Sequence, residues 1–217
     1  SAEDTLVVLT PAIPADHKEW AWFREQGFRI EKRSQMLGHL SEGKMVMAVA
    51  GTHGKTTTST LAAWLNHAAA GEGSAFLGGI STNFASNLVL GEGRRLVVEA
   101  DEYDRSFLRL WPDVAVITAT DADHLDIYGT AEAMVEAFEQ FASQIKEGGS
   151  LILKQGVAFH FDTKGRNLYR YSCDAGGDFH AENIRLIEGG HYRYDIVLPD
   201  GRIEDCELGF LGNVHIE

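Results

Sequence analysis

Cysteine is nearly missing from this 217-residue chain, which carries only Cys173 and Cys206, with no Cys-x-x-Cys spacing. That excludes a disulfide framework and a cysteine-built zinc site, and the two read as reduced thiols. Basic residues are the minority, 19 Lys and Arg against 32 Asp and Glu, for a net charge of −13. A nucleic-acid partner calls for a basic face, so nucleic acid is not expected as a partner. An anionic substrate stays open wherever positive groups are local. Apolar runs of membrane-spanning length are absent, as is any signal peptide, so no membrane association is expected and the cytoplasm is the expected compartment. There is no internal repeat and no low-complexity segment. The 44% apolar and 24% charged residues are ordinary for a globular chain. The length suits one sizeable domain, or one domain with part of another.

One stretch is dense with signal: AGTHGKTTTS, Ala50 to Ser59. It follows the apolar run Met45–Val49 and precedes Thr60–Leu65, the order of a strand, a glycine turn and a helix. Gly51 and Gly54 permit a tight turn with inward N–H groups, a nest for an anion. The helix that follows adds its positive dipole end. Lys55 is placed to reach the outer phosphates of a nucleotide and the Thr56 hydroxyl to hold Mg²⁺. With Thr52, His53 and Thr57 these residues make Gly51–Thr57 the candidate nucleotide loop. The general P-loop pattern puts a glycine five positions before Gly54, where this chain has Val49, so the loop is a shortened variant.

Around the loop the chain alternates strand and helix. Thr5–Leu9 reads as a strand, Trp20–Gln26 as a helix ended by Gly27, and Phe28–Ile30 as another strand, suggesting the edge of a parallel sheet. The helix after the loop is expected over Lys55–Ala70, stopping at Gly71. A glycine-rich stretch, Gly78–Asn83, leads to Asn87. Arg94–Ala100 and Asp113–Thr118 read as buried strands. Thr130 caps a helix with Ala131, Met134, Val135, Phe138, Phe141, Ala142 and Ile145 on one face, and Gly148-Gly149 ends it before the strand Ser150–Leu153. After residue 165 the period becomes two, with turns at Gly189-Gly190 and Asp200-Gly201. A small antiparallel subsheet over 165–213 is therefore expected beside the main one. The fold class is α/β, a mostly parallel P-loop-type sheet flanked by helices, with ligands gathering at the strands' carboxyl ends.

Two acidic clusters fall at those ends: Glu99-Ala100-Asp101-Glu102-Tyr103-Asp104 and Asp121-Ala122-Asp123-His124-Leu125-Asp126. A carboxylate about 4 Å from a phosphate is repelled by about 4 kcal/mol per charge pair at an effective dielectric of ~20. A divalent ion between them reverses the sign, so acids here suit Mg²⁺ ligation or a cationic substrate. His124, after a buried strand and among three aspartates, is a candidate ligand.

Together, GTHGKTTT (Gly51–Thr58), EADEYD (Glu99–Asp104) and DADHLDIYG (Asp121–Gly129) resemble the ATP, metal and substrate loops of the Mur ligases, ATP-dependent amide-forming enzymes of peptidoglycan precursor synthesis. His53, EADE and DHLD are most similar to the branch that joins L-alanine to UDP-N-acetylmuramate, followed by the murein-peptide recycling branch using the same sugar nucleotide. LTPAIPADHKE (Leu9–Glu19) resembles the end of the family's UDP-binding domain, and LGNVHIE (Leu211–Glu217) the entry to the last helix of its central domain. The resemblance implies that residues 1–40 end the first domain and 41–217 form the central ATP-binding domain, the C-terminal ligase domain being absent and the fragment alone inactive. It implies ATP and Mg²⁺ as cofactors, with UDP-N-acetylmuramate and L-alanine as substrates. It implies catalytic roles for Lys55, Glu99 and His124. Thr56 and Glu99 would hold one Mg²⁺, and His124 a second or the γ-phosphate end. Asn83, Asn87, Asp126 and Tyr128 are implied substrate contacts. Two departures stand out: Ala119 replaces a usual Asn, and the helix after DH offers Glu136 and Glu139 but no lysine before Lys146, which leaves the second metal site open. The reading outside the family is a P-loop ATPase or binding module that forms no bond. Lys55→Ala is expected to abolish turnover and leave the fold intact.

Overall fold

The computed structural model describes residues 1–217 except Pro11, Ala15, Asp174, Ala175, Phe210, Asn213, Val214 and Glu217. The helix entry expected at Leu211–Glu217 lies partly outside the described residues. The chain opens with β1 (Leu6–Leu9), α1 (Lys18–Glu25), β2 (Arg29–Lys32) and α2 (Arg33–Ser41). β1 and β2 are parallel, as the β-α-β order requires, but they form a two-stranded sheet of their own rather than the edge of the main one. An ion pair, Lys32 Nζ to Asp104 Oδ2 at 2.7 Å, ties this unit to the first acidic cluster.

The main sheet has ten strands: β3 (Met45–Ala50), β4 (Ser74–Ser81), β5 (Ser86–Val89), β6 (Arg95–Glu99), β7 (Val114–Ile117), β8 (Ser150–Lys154), β9 (Asn167–Ser172), β10 (Phe179–Leu186), β11 (Tyr192–Leu198) and β12 (Gly201–Leu208). Their spatial order is β12-β11-β10-β9-β8-β7-β3-β6-β4-β5. Every neighbouring pair from β4 to β10 is parallel, while β5, β11 and β12 pair antiparallel. The antiparallel strands expected beside the main sheet therefore continue it, because β10 joins β9 through Phe179 opposite Tyr171.

Both faces of the central strands are covered, which is why they read as unbroken apolar runs rather than alternating ones. On one face Val46, Ala48, Ala50, Leu96, Val98, Ala115, Ile117, Leu151 and Leu153 pack with Met134, Ala137, Phe138, Phe141 and Ala142 of α5 (Ala131–Ser143). Thr130 caps α5 as expected, its Oγ1 accepting from the Ala133 amide at 3.1 Å. On the other face Ala75, Leu77 and Val97 meet Ala63 of α3 (Lys55–Ala70). α3 stops at Gly71, which adopts φ +64°. β4 was hidden in the glycine-rich stretch, and α2 is nearly without an apolar face. β3 lies between β6 and β7; the chain leaves β3 toward β4, on the β6 side, and leaves β7 toward β8, on the other side. The carboxyl ends of these three strands open the crevice where open α/β sheets bind ligands.

Candidate nucleotide and metal site

The loop Gly51–Gly54 leaves β3 and enters α3 at Lys55. It is clamped from β7's exit. Thr118 Oγ1 donates to the carbonyls of Ala50 (3.3 Å) and His53, and the Thr52 amide donates to Ala119 O at 3.1 Å. Gly51, at φ +131°, passes so close to this clamp that a Cβ there would lie 2.9 Å from the Ala119 amide nitrogen. Only glycine fits. Among the described bonds no partner is found for the amides of residues 53–57, while the Thr58 amide bonds back to Gly54 O at 3.0 Å. Five free N–H groups at the start of a 16-residue helix fit an anion such as a nucleotide's phosphates.

Lys55 Nζ donates to Gly51 O and to Glu102 Oε1, each at 2.8 Å. Glu102 is wholly buried, and its Oε2 has no partner among the described residues. Sequence reasoning left this residue out of the candidate set. Nothing in EADEYD marks the fourth position as the one that turns inward. Glu102 opens the 3-10 segment Tyr103–Arg109, where Asp104 and Arg105 take positive φ. Its carbonyl accepts from Tyr128 Oη at 2.6 Å and from the Arg105 amide at 2.9 Å, which anchors its backbone under the loop.

Glu99, at the end of β6, faces the first turn of α3. Its Oε1 lies 3.2 Å from Thr56 Oγ1, and its Oε2 accepts from the Gly78 amide at 2.8 Å and from Ser59 Oγ at 3.4 Å. A side chain on Gly78 would overlap this carboxylate, so the glycine inside β4 lets Glu99 keep its place against the first turn of α3. Thr56 and Glu99 thus form the hydroxyl–carboxylate pair expected for Mg²⁺. Among the described residues no group of three His, Cys, Asp or Glu side chains could hold an ion alone.

His124 stands apart from that pair. It is the N-cap of α4 (Leu125–Tyr128) at φ +49°, with its amide bonded to Asp123 Oδ1 at 2.8 Å. Its Nε2 faces Glu102 Oε1 at 3.7 Å and Asp123 Oδ2 at 3.8 Å, and the Tyr103 ring packs edge-on against its imidazole. Tyr128 is buried, with its phenol turned to Glu102 and the Arg105 guanidinium 5.4 Å from its ring. Burial first, then the Glu102 charge, pushes that phenol up to about 12. Tyr128 therefore supports the loop from inside. Asn83, Asn87 and Asp126 are exposed, and the structure brings none of them to the Lys55–Glu102 group. Ala119 contributes only its backbone to the clamp. Lys146 pairs with Asp113 at 2.8 Å, at the start of β7 and the opposite end from the loop. Glu139 accepts from the His160 amide at 2.8 Å. No helix among the described residues is long and apolar enough to cross a membrane.

The Mur ligase middle domain model matches residues 49–217, which begins at the strand feeding the loop. A curated UDP-N-acetylmuramate–L-alanine ligase from Phocaeicola vulgatus is 52% identical over 98% of this chain and 46% of its own length. The chain spans about half the length of the curated relatives it matches. Among solved structures, the UDP-N-acetylmuramate-alanine ligase MurC of Thermotoga maritima superposes with a TM-score of 0.79 at 24% identity, covering 99% of this chain and 50% of that one. The UDP-N-acetylmuramate:L-alanyl-gamma-D-glutamyl-meso-diaminopimelate ligase of Neisseria meningitides gives 0.80 at 19% identity over 97% of this chain and 70% of that one, and at such identities both speak for the fold alone. The family match spans the shortened loop, the Thr56–Glu99 pair and the acidic loop that carries His124, and on that match the chain belongs to the Mur ligase family.

Proposed function

We propose that this chain is the ATP-handling part of a ligase that joins L-alanine to the carboxylate of UDP-N-acetylmuramate, in the cytoplasm, as a step of peptidoglycan precursor synthesis. Identity of 52% to a ligase of that name, over nearly the whole chain, carries the choice of member. The order of chemistry is phosphoryl transfer from ATP to the carboxylate, then attack of the amine on the acyl phosphate with release of phosphate. Phosphoryl transfer asks mainly for positioning and charge stabilisation. The amides of residues 53–57 would cradle the phosphates, and Lys55 would take charge from the phosphoryl group. Thr56 and Glu99 would hold Mg²⁺, which supplies neutralisation of carboxylate–phosphate repulsion when bound. His124 is placed at the edge of the same crevice, beside Glu102.

Residues 1–40 are proposed as the end of a UDP-binding domain, supported by their separate sheet and by a family match that begins at residue 49. Residues 41–217 are then the central domain, with substrate contacts from Asn83, Asn87 and Asp126 along its rim. The test is phosphate release by the intact protein. Release that requires both UDP-N-acetylmuramate and L-alanine supports this reading. Release independent of both identifies a plain ATPase, and release with a tripeptide in place of L-alanine identifies a recycling ligase. The 217-residue chain alone is expected to bind nucleotide weakly and not to ligate.

A further inference from the structure

Glu102 is the feature of this site that the proposed chemistry leaves unused. A fully buried carboxylate is costly unless its oxygens are matched by donors. Here Oε1 has one, the Lys55 ammonium at 2.8 Å, while Oε2 has none among the described residues. Its backbone carbonyl is held by Tyr128 and Arg105, and its side chain is wholly buried. The next donor in line is His124 Nε2, 3.7 Å from Oε1 and about 0.5 Å beyond hydrogen-bond reach. Lys55, meanwhile, spends two of its three N–H donors on Glu102 and Gly51. A phosphate arriving on the loop amides competes with Glu102 for the same ammonium.

We propose that Glu102 is a positioning residue that works by exchange. In the nucleotide-free chain it holds Lys55. When a nucleotide phosphate takes the ammonium, the stranded carboxylate draws His124 inward and so couples nucleotide arrival to the placement of the second loop. This rests on the reading of Lys55 as a phosphate ligand. It assigns Glu102 a sign opposite to that of a simple supporting residue, because removing its charge frees Lys55 for the phosphate.

The test uses the 217-residue chain with a fluorescent ADP analogue, and imidazole NMR of His124, assigned by loss of its signals in His124→Gln. Glu102→Gln keeps the shape and removes the charge. It is expected to bind the nucleotide about tenfold more tightly than the parent, a difference of about 1.4 kcal/mol. The His124 resonances should shift on nucleotide addition in the parent and stay still in Glu102→Gln. Equal or weaker binding by Glu102→Gln overturns the exchange, as do His124 shifts of the same size in both proteins. If Glu102→Gln fails to fold, Glu102→Asp withdraws the charge by one methylene and should still tighten binding, and no gain there overturns the proposal too. Lys55→Met/Glu102→Gln separates the two layers. If it binds as tightly as Glu102→Gln, Lys55 is no phosphate ligand, and that reading falls together with the exchange.

Discussion

Lys55→Ala is the obvious way to silence a nucleotide loop, and the structure attaches a stability cost to it. Truncation at Lys55 removes the one donor to a carboxylate that is 0% exposed, from a lysine whose own side chain is 16% exposed. Breaking a buried pair by deleting one partner costs about 3–5 kcal/mol, mostly because the other charge is left uncompensated. Lys55 sits near the rim, where water can enter the gap, so the lower end, about 3 kcal/mol, is the working figure. For a chain of this size, ~2–4 °C per kcal/mol makes that roughly 6–12 °C in melting temperature. In urea, with a slope of about 2–3 kcal/mol per molar, the midpoint should fall by roughly 1–1.5 M. To the expectation from sequence that Lys55→Ala abolishes turnover with the fold intact, this buried pair adds a cost in stability. The assay is a melt and a urea titration of the parent, Lys55→Ala, and Lys55→Ala/Glu102→Gln. The double variant should regain more than half of the loss, since a neutral amide is cheaper to strand than a carboxylate. A melt of Lys55→Ala within 2 °C of the parent would refute the reasoning, as would a double variant no more stable than the single. Turnover lost in Lys55→Ala must accordingly be read at a temperature where the variant is folded.

Three further expectations follow from the same geometry. Gly78→Ala pushes a methyl into the Glu99 carboxylate, so it should cost about 1–3 kcal/mol of overpacking and blunt the gain in nucleotide affinity on adding Mg²⁺, seen by titration with and without the ion. Thr118→Val strands the His53 carbonyl and unclamps the loop; about 1–2 kcal/mol of stability should go, with faster exchange of the Thr52 amide, which the clamp bonds to Ala119 O. Tyr128 has its phenol raised from 10.0 to about 12 in the fold. Its contribution is therefore whole below pH 10 and drains away as pH rises toward 12. About 3 kcal/mol is lost across that window; urea midpoints between pH 9 and 12 should show the fall, and Tyr128→Phe should flatten it.

The parts of the fold that were legible in sequence are those whose cause is local. β3, the loop and α3 announce themselves because an apolar run, two glycines and a lysine sit in order from Met45 to Lys55, and Gly71 marks the stop. α5 showed its face because Met134, Phe138 and Phe141 recur at helical spacing. What stayed hidden has its cause elsewhere in the chain. Gly78 looks like a strand breaker until Glu99 is placed against it from β6. Glu102 looks like a solvated acid until Lys55 and the Tyr128 phenol close over it. α2 carries almost no one-sided pattern, and its seat depends on the segment after Glu102. Thr118 was visible only as the end of a strand, although its hydroxyl holds the loop's shape. In each case the missing information is a neighbour 20 or more positions away, which period and propensity do not carry.

The place of β3 in the sheet also sets a timetable. Its two partners come from far along the chain: Met45 pairs with Arg95, 50 residues on, and Met47 with Val114, 67 residues on. The Thr52 amide waits for the carbonyl of Ala119, again 67 residues later. At about 5–20 residues per second, a ribosome takes roughly 3–13 s to supply that stretch. Through that interval the nascent chain carries the Gly-Thr-His-Gly-Lys-Thr sequence without its clamp, and β3 gains β6 before it gains β7. A stall just before Ala119 would leave the loop's sequence complete but its shape unmade.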